Sequence, residues 1–361
     1  MKNSFGNAIN ITLFGESHGA GVGVLIDGIA PGIKIDEDFI AHQLTLRRPS
    51  GKISTARREP DEYVIQSGVY NGYTTGAPLC IFIPNTDTRS RDYTPGLPRP
   101  SHADLTAHEK YHGFEDYRGG GHFSGRLTAA LVAAGAIVIP ALREKGIYIG
   151  TCINRIDRIG LSDIPTDREG LLAVAESDYG LTDDYAIAMM KDTIELAASE
   201  GDSVGGVLET AIIGLPAGLG EPWFDGVESQ IASAVFGIPA VKSVAFGAKD
   251  IETMRGSRAN DAFIVKDGKI ATATNNSGGI QGGITNGMPV IFRTAIKPTP
   301  SISQNQLTVN MQTLEETVLG VKGRHDPCIV PRARIVIDSV AALVVADMLT
   351  VRYGSDALTT K

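Results

Sequence analysis

The chain has 361 residues, 42% of them hydrophobic, and a formal net charge of −8 at pH 7. This length supports a substantial core in one or two domains, and the negative charge argues against a general nucleic-acid binder, which needs a broad basic face. The three cysteines lie far apart without CxxC spacing, so we expect neither disulfides nor a metal site but a reducing, cytoplasmic setting. We also expect no membrane span, because the most apolar stretch, 127–142, is short and contains Pro140.

The first predicted elements are two strands and a helix. Residues 9–14 alternate apolar and polar side chains, and residues 22–26 resemble a second strand. The glycine-rich loop between them does not match GxGxxG, so a dinucleotide fold is not predicted. It places His18 at a strand end, where the ring either faces a cavity or makes only a loop hydrogen bond. Asp36 is predicted to cap a helix that ends near Arg47.

Polar, loop-like stretches surround the next strands. Residues 52–61 lack apolar periodicity and contain Arg57 and Arg58, which form either a solvated face or part of an anion site. Residues 63–75 predict a hairpin about Asn71 and Gly72, and residues 78–83 continue the sheet. The long loop 85–104, which carries Arg89, Arg91, Arg99 and His102, is interpreted as a lid because such loops are uncommon in compact domains unless they are functional or disordered.

The stretch 118–143 joins three consecutive glycines to the most apolar helix-like segment of the chain. Glycines allow backbone amides to approach a ligand closely, and the helix that follows would point its positive end at the same place. The pattern therefore predicts either a tight loop before a core helix or an anion site. The flanking residues Arg118 and Arg126 favour the anion site.

The second half predicts further strands and helices. Asp225, with Glu228 three residues later, is expected to cap a helix containing Ile231. The other predicted elements are strands 146–156, 204–214 and 289–296, helices 183–200 and 334–354, a hairpin about Asp267 and Gly268, a glycine-rich loop 275–284 and a polar turn 297–301. Two long helices that are apolar nearly all round predict an α+β fold, with central helices covered by mostly antiparallel sheets. Without a linker or composition shift, residues 1–361 form one predicted domain.

Two histidines and several arginines lie in the predicted loops. HExxH, P-loop and GxSxG patterns are absent from the sequence. Their absence argues against a metal-dependent hydrolase and against a hydrolase with a nucleophilic serine, and no metal is predicted. Arginine forms bidentate contacts with carboxylate and phosphate, and histidine near anions donates protons near neutral pH. This set suits an enzyme that acts on a small anion with several charges, or an anion-binding regulator. The arginines are at positions 47, 48, 57, 58, 99, 118, 126 and 324.

The ordered motifs FGESHG, RRP, RREPD, SGV, NTD, RPSHAD, DYRGGG, AAGAI, GDSVGG, GLPAGLGEP, RGS, NNSGGIQGGI, KPT and GRHDPC resemble the chorismate synthase family over nearly the whole chain. The resemblance implies a homotetramer of single-domain subunits, each a β-α-β sandwich. It also implies conversion of 5-enolpyruvylshikimate 3-phosphate to chorismate and phosphate by anti-1,4-elimination, with reduced FMN and no net redox change. NADPH is a possible reductant. The alternative is an anionic-metabolite-binding flavoprotein or regulator without elimination activity.

Roles for individual residues follow from the matching motifs. His18 resembles the acid that protonates the departing phosphate, His102 the histidine beside the reduced flavin, and Asp326 the carboxylate that works with flavin N5 in removing the ring proton. The implied substrate-binding residues are Arg47, Arg99, Arg126 and Arg324, and Arg47 is also an implied NADP contact. The implied cofactor contacts are His122, Phe123, Ser124, Pro239, Ala240, Gly282, Lys297, Pro298, Thr299, Pro300, Ser301 and Arg324.

The chain departs from the family pattern at four of its positions. His122 and Phe123 stand where arginine and serine are common, Pro239 where asparagine is frequent, and Ile53 where a basic residue is often found. These departures bear on the individual flavin and nucleotide contacts.

Overall fold

Two antiparallel sheets of five strands each contain most of the strand residues in the computed structural model, which describes residues 2–49, 51, 53–55, 59–87, 95–266, 268–321 and 326–359. The strands are β1 Ser4–Phe5, β2 Asn10–Gly15, β3 Gly21–Asp27, β4 Val64–Ser67, β5 Val69–Tyr70, β6 Tyr73–Thr74, β7 Leu79–Pro84, β8 Tyr148–Ile156, β9 Ile159–Gly160, β10 Gly206–Ile213, β11 Val241–Phe246, β12 Phe263–Lys266, β13 Lys269–Thr272, β14 Ile280–Gln281, β15 Ile284–Thr285, β16 Val290–Ile296, β17 Gln306–Val309 and β18 Glu316–Leu319. The helices are α1 Glu37–Arg47, α2 Asp104–Tyr111, α3 Thr128–Glu144, α4 Arg168–Glu176, α5 Asp184–Ser199, α6 Val227–Phe236, α7 Gly256–Ala259 and α8 Val330–Tyr353.

The strand order is β1-β2-β3-β7-β4 in the first sheet and β11-β16-β10-β8-β9 in the second. Val24 pairs with Ile81 in the first sheet, and Thr210 pairs with Phe292 in the second. Residues of β7 and β16 alternate between buried and partly buried, as expected for strands with one face on a core. The predicted mostly antiparallel α+β architecture is confirmed.

Helices α3 and α8 form the centre of the core. They pack against each other, α3 also contacts β3 and β7, and α8 contacts β8 and β10. The closest approach is at Gly135, where an added Cβ would lie 2.4 Å from Cβ of Ser339. The segment Gly125–Glu144 is long and apolar enough to cross a membrane, with mean hydropathy 1.8, but 89% of its most apolar window is buried inside the fold. It is therefore the core helix that its composition predicts.

Three carboxylates of the helical segments make defined polar contacts, one at a helix start, one with the N-terminal segment and one with strand β8. Asp36 caps α1 as predicted and accepts from the amide of Phe39 at 2.9 Å. Buried Asp347 in α8 accepts the amides of Asn7, Ala8 and Ile9 at 2.9, 2.7 and 2.8 Å. Asp338, which is also buried in α8, accepts from Thr151 Oγ1 at 2.6 Å and lies 3.9 Å from Arg334, and burial raises the pKa of Asp338 to about 6.

Several local predictions need correction. Asp225 does not cap α6, because Gly226 occupies that position. Asp225 is instead the last residue of a short 3₁₀ turn, Trp223–Asp225, and its carbonyl accepts from the amide of Glu221 at 3.2 Å. The triple glycine does not lead directly into α3, because 3₁₀ turns span Arg118–Phe123 and Gly125–Leu127 before the helix begins at Thr128. Helices α2 and α4 and the β17–β18 hairpin are additions that the sequence patterns did not predict.

The two hairpins predicted from turn residues are present. Asn71 and Gly72 have φ of 49° and 77° between β5 and β6, the left-handed pair that a two-residue hairpin turn requires. Strands β12 and β13 pair on either side of the second predicted turn, of which Asp267 lies outside the described residues. Arg57, Arg58, Arg89, Arg91 and Arg324 also lie outside them. The single-domain organisation stays a prediction.

Candidate active site

A cleft of about 930 Å³ collects most of the predicted site residues, and its size is typical of a small-molecule site. Its walls come from the N-terminal strand, the glycine-rich loop, the α6–β11 junction, the turn after β16 and the first turns of α8. The predicted site residues that line it are Arg47, His102, His122, Phe123, Ser124, Arg126, Pro239, Ala240, Lys297, Thr299, Pro300, Ser301 and Asp326.

The glycine-rich loop allows two histidines to lie directly against its backbone. Gly119, Gly120 and Gly121 all have positive φ, at 62°, 82° and 50°, so a side chain would be strained at each position. An added Cβ at Gly119 would lie 2.6 Å from Nε2 of His18, and one at Gly120 would lie 3.0 Å from Cε1 of His102. Since Gly119 lines the cleft, His18 lies immediately behind the cleft wall, and the loop brings both predicted catalytic histidines to one strip of backbone.

His102 belongs to a chain of polar contacts with Asp104 and Arg99. Its Nδ1 lies 2.6 Å from Asp104 Oδ1, and Arg99 donates Nε and Nη2 to the two oxygens of the same carboxylate at 2.8 Å each. Arg99 also donates Nη1 to Ser301 Oγ at 3.3 Å. Burial alone would raise the pKa of Asp104, but the hydrogen bonds from Arg99 and His102 outweigh it and hold that pKa below its usual value.

Two of the predicted substrate-binding arginines share one buried carboxylate. Asp61 Oδ2 accepts from Arg47 Nη1 at 3.2 Å, and Asp61 Oδ1 accepts from Arg126 Nη1. The Asp61 side chain is fully buried and its backbone has φ of 53°, a left-handed conformation that aspartate tolerates better than most residues. Arg47 also donates to Thr128 Oγ1 at 3.0 Å, and Arg126 to Asn85 Oδ1 at 3.0 Å. The two guanidinium groups are therefore fixed in the cleft wall.

Asp326 lies in the cleft wall beside the start of α8. It accepts the amide of Thr55 at 2.8 Å and a hydrogen bond from Arg332 Nη1. Arg332 Nε donates to the carbonyl of Arg47 at 3.0 Å, which connects this carboxylate to the end of α1.

Two predicted cofactor segments meet at the opposite wall. The amide of Lys297 donates to the carbonyl of Ala240 at 3.0 Å, so residues 239–240 and 297–301 are joined by backbone. Lys297 Nζ donates to the carbonyl of Ser101, and burial together with nearby Lys242 lowers the pKa of Lys297. The hydroxyl of Thr299 is buried and has no hydrogen-bond partner among the described residues. An unsatisfied hydroxyl and a lysine at a cleft wall fit a ligand with anionic and polar groups.

Other predicted residues lie elsewhere. Gly282 is at the turn of the β14–β15 hairpin and is not part of the cleft lining, and Pro298 is exposed and also outside it. Arg118 is bound by Asp116, with Nε and Nη2 each 2.8 Å from a carboxylate oxygen, instead of lining the cleft. That contact is the main reason why the pKa of Asp116 is lowered.

The sequence patterns did not identify Asp61, Asp104 or Arg332 as site residues. The two aspartates stand in the motifs RREPD and RPSHAD, which could have drawn attention to them, whereas no motif marks Arg332. Ile53 is buried in the main core, so the position where a basic residue is frequent in the family is here an apolar core position.

Comparisons with known proteins agree over almost the full chain. The family profile described as chorismate synthase matches residues 9–350. The chorismate synthase of Pyrococcus abyssi is 46% identical over 350 residues, covering 96% of this chain and 97% of that protein. The chorismate synthase of Dehalococcoides mccartyi strain BAV1 is 46% identical over 358 residues, covering 98% of each chain.

A solved structure supports the same relationship at the level of the fold. A crystal structure of chorismate synthase aligns with a TM-score of 0.76 at 30% sequence identity and covers 98% of this chain and 94% of that chain. A family profile spanning nearly the whole sequence, relatives at this identity and a matching fold lead to one conclusion: the chain belongs to the chorismate synthase family.

Proposed function

We infer that this chain is a lyase that eliminates phosphate from 5-enolpyruvylshikimate 3-phosphate to give chorismate, the activity of its family. The observation that carries this inference is the cleft in which a glycine-rich loop backed by His18 and His102 meets Asp326 and fixed arginines. The reaction needs a cationic wall for a phosphate and carboxylates, a proton donor for the leaving group and a base for a ring proton.

The arginines hold the anionic groups of the substrate. Arg47 and Arg126 lie in the cleft wall with their guanidinium groups fixed by Asp61, so little reorganisation accompanies substrate binding. Arg99 and Arg324 are assigned to the same task from their motifs. A second function, anion binding without catalysis, leaves the two histidines beside the glycine-rich loop without a role.

The acid–base chemistry and the hydrogen bonding to the cofactor are assigned to three side chains. His18 donates a proton to the departing phosphate, His102 sets the hydrogen bonding beside the cofactor, and the carboxylate of Asp326 receives the ring proton. Asp326 is kept in place by the amide of Thr55 and by Arg332, which leaves its orientation defined before substrate enters.

A reduced flavin fits the remaining wall of the cleft. The residues that would hold it are His122, Phe123, Ser124, Pro239, Ala240 and Lys297 to Ser301, among which the unpartnered hydroxyl of Thr299 offers a hydrogen bond. When bound, reduced FMN supplies electron density that stabilises the electron-deficient ring as phosphate leaves. NADPH, with Arg47 as a contact, is the proposed source of the electrons that reduce FMN. Gly282 is proposed as a cofactor contact from its motif alone.

We also propose a homotetramer of β-α-β sandwich subunits in the cytoplasm. The contacts of α3 with one sheet and of α8 with the other support the sandwich. Exposed aromatic side chains, including Phe114, Trp223 and Phe224, support assembly with further copies.

One assay tests the function. Under anaerobic conditions with reduced FMN, the protein should release phosphate from the substrate while the flavin ends reduced, and a regulator would only bind. His18→Ala and His102→Ala should each lower turnover by roughly 10²-fold or more with folding intact. Stoichiometric flavin oxidation or absence of phosphate release would contradict the activity, and normal turnover in both variants would contradict the roles of the histidines.

A further inference from the structure

We propose that Asp104 is a positioning residue for the reaction, which holds the imidazole of His102 in one tautomer with Nε2 directed toward the glycine-rich loop. The proposal rests on the function proposed above for His102. Asp104 is the first residue of α2, two positions after His102, and its carboxylate is mostly buried, with 18% of the side chain exposed.

The contacts at Nδ1 of His102 determine the tautomer. Nδ1 lies 2.6 Å from Asp104 Oδ1 and 3.0 Å from Arg99 Nη2. A guanidinium only donates, and an ionised carboxylate only accepts. Because the pKa of Asp104 is held low, its carboxylate is ionised, and the short contact is an Nδ1–H donor to a carboxylate. The Nη2–H of Arg99 is then directed to Asp104 Oδ1, which lies 2.8 Å from Nη2.

The same contacts define the orientation of the ring. With Nδ1 bound to Asp104, the Cε1–Nε2 edge faces Gly120, where an added Cβ would lie 3.0 Å from Cε1 and 3.3 Å from Nε2. In the tautomer fixed by Asp104, Nε2 carries a lone pair on the side of the glycine-rich loop, and the His102 side chain itself lines the cleft. His102 therefore presents a defined proton acceptor, or a donor after protonation, to the cleft.

Arg99 keeps the Asp104 carboxylate from rotating. Its Nε and Nη2 bind the two carboxylate oxygens, the amide of Arg99 donates to Asp104 Oδ2 at 3.0 Å, and Nη1 reaches Ser301 Oγ at 3.3 Å. A fork-to-fork pair of this kind adds geometric specificity to charge. Ser301, in the turn after β16, is thus connected to His102 through Arg99 and Asp104. As in hydrolase triads, a carboxylate orients a histidine, although the proposed reaction is a different one.

The test is Asp104→Asn, in which the side chain keeps its size and loses its charge. An amide that accepts from Arg99 turns its NH₂ group toward Nδ1, which favours the opposite tautomer. We expect kcat to fall by roughly 10²-fold with KM near the value of the unmodified protein, because Asp104 acts through His102 and not on the substrate. Long-range ¹H–¹⁵N spectra of the protein without flavin should show His102 with Nδ1 protonated, and this pattern should be lost in the variant.

Glu115→Gln is the matched control. Glu115 Oε1 lies 3.2 Å from Nδ1 of His108, a histidine–carboxylate pair at the other end of α2. This variant should change the spectrum of His108 and leave kcat unchanged. If Asp104→Asn does not yield folded protein, Asp104→Glu, which keeps the charge and displaces the carboxylate by one methylene, provides the same two measurements.

The outcomes separate this proposal from the proposed function. An unchanged His102 spectrum together with unchanged kcat in Asp104→Asn would overturn the positioning role. Loss of the Nδ1–H pattern in that variant, combined with normal turnover of His102→Ala, would support the Asp104–His102 bond and overturn the catalytic role of His102 instead.

Discussion

At the residue scale, Asp338 shows how burial of a carboxylate in α8 makes the stability of the fold depend on pH. Its side chain is fully surrounded by protein and faces Arg334, Arg143 and the hydroxyl of Thr151, yet desolvation dominates and raises its pKa to about 6. An ordinary aspartate in an unfolded chain has a pKa of about 3.9. The folded protein therefore binds a proton more tightly than the unfolded chain at this position.

The sign of the effect follows from linkage. Asp338 contributes stability that is fully present below pH ~4 and is lost as pH rises through its folded pKa of about 6. The loss is of order 2–3 kcal/mol. Asp338→Asn cannot ionise, so its free energy of unfolding relative to that of the unmodified protein should rise between pH 4.5 and 7.5.

Urea denaturation at several pH values measures this difference. Asp192→Asn, on the exposed face of α5, is the control and should show no such trend. A difference between Asp338→Asn and the unmodified protein that stays constant over this pH range would contradict the assignment.

Arg126 and His122 allow a comparison of two cations in the glycine-rich region. Arg126 is a permanently charged fork fixed by Asp61, whereas the ring of His122 contacts the carbonyl of Gly15 through Nδ1 at 2.9 Å. Losing one charge-assisted contact to a buried anion costs about 1.5 to 3 kcal/mol, so Arg126→Ala should lower kcat/KM by ~10- to 150-fold. His122→Ala should lower it by less than ~10-fold.

Both constants should be measured with saturating reduced FMN, and assembly should be checked by light scattering. Arg126→Ala should also unfold at lower temperature, because the buried carboxylate of Asp61 loses one of its two guanidinium partners at hydrogen-bond distance. A larger effect of His122→Ala in correctly assembled protein would show that the histidine, and not Arg126, is the main anion contact.

At the element scale, the close packing of α3 on α8 depends on a residue without a side chain. An added Cβ at Gly135 would lie 2.4 Å from Cβ and 2.5 Å from Cα of Ser339, so the two helices would have to separate. Overpacking of this kind costs about 1 to 3 kcal/mol. Gly135→Ala should therefore lower the free energy of unfolding, as measured by urea denaturation.

Gly256 in α7 provides the matched control. Among the described residues, no heavy atom outside its own helix backbone and chain neighbours lies within 4 Å of the Cβ position there, so Gly256→Ala should leave stability unchanged or raise it slightly. Equal effects of the two substitutions would show that α3 and α8 adjust to each other more freely than their packing indicates.

Elements with local signals could be predicted from the sequence, and those that depend on tertiary contacts could not. The cap of α1 at Asp36 and the Asn71–Gly72 turn follow from short-range hydrogen bonding and backbone preference. The cap at Asp225 was predicted wrongly because Asp225 belongs to a short 3₁₀ turn, and α6 begins one residue later with Gly226 at its cap.

The same distinction applies to the site residues: those in sequence motifs could be predicted, and those defined by long-range contacts could not. His18, His102 and Asp326 were identified from their motifs, and the structure places each in or directly behind the cleft wall. The role of Asp61 depends on contacts with Arg47 and Arg126, which are 14 and 65 residues away in the chain. No periodicity or spacing rule reports such contacts, so they could be found only in three dimensions.

At the scale of the whole molecule, the β12–β13 hairpin presents apolar side chains to its surroundings. Cross-strand partners Val265 and Ile270 are 79% and 77% exposed, and Phe263 is 71% exposed. A two-stranded ribbon is marginally stable alone in water, which favours burial of this surface in the proposed tetramer. Val265→Glu should therefore reduce the assembled mass measured by light scattering.

Leu196→Glu, at a leucine of α5 that is 62% exposed, tests whether any exposed apolar position has the same effect. An unchanged tetramer in Val265→Glu would place the subunit interface elsewhere, and a monomer in the unmodified protein would contradict the proposed assembly itself.

The contact between Asp347 and the amides of residues 7–9 also has a consequence for the order of events during synthesis. The partners are separated by 338 to 340 positions, so the N-terminal segment leaves the ribosome long before its anchor does. Residues 2–5 and the start of α8 both line the cleft. The cleft is therefore incomplete until α8 has been synthesised. A nascent chain truncated before α8 would expose β1 and β2 without a site beside them, a state in which chaperone binding is expected to be strongest.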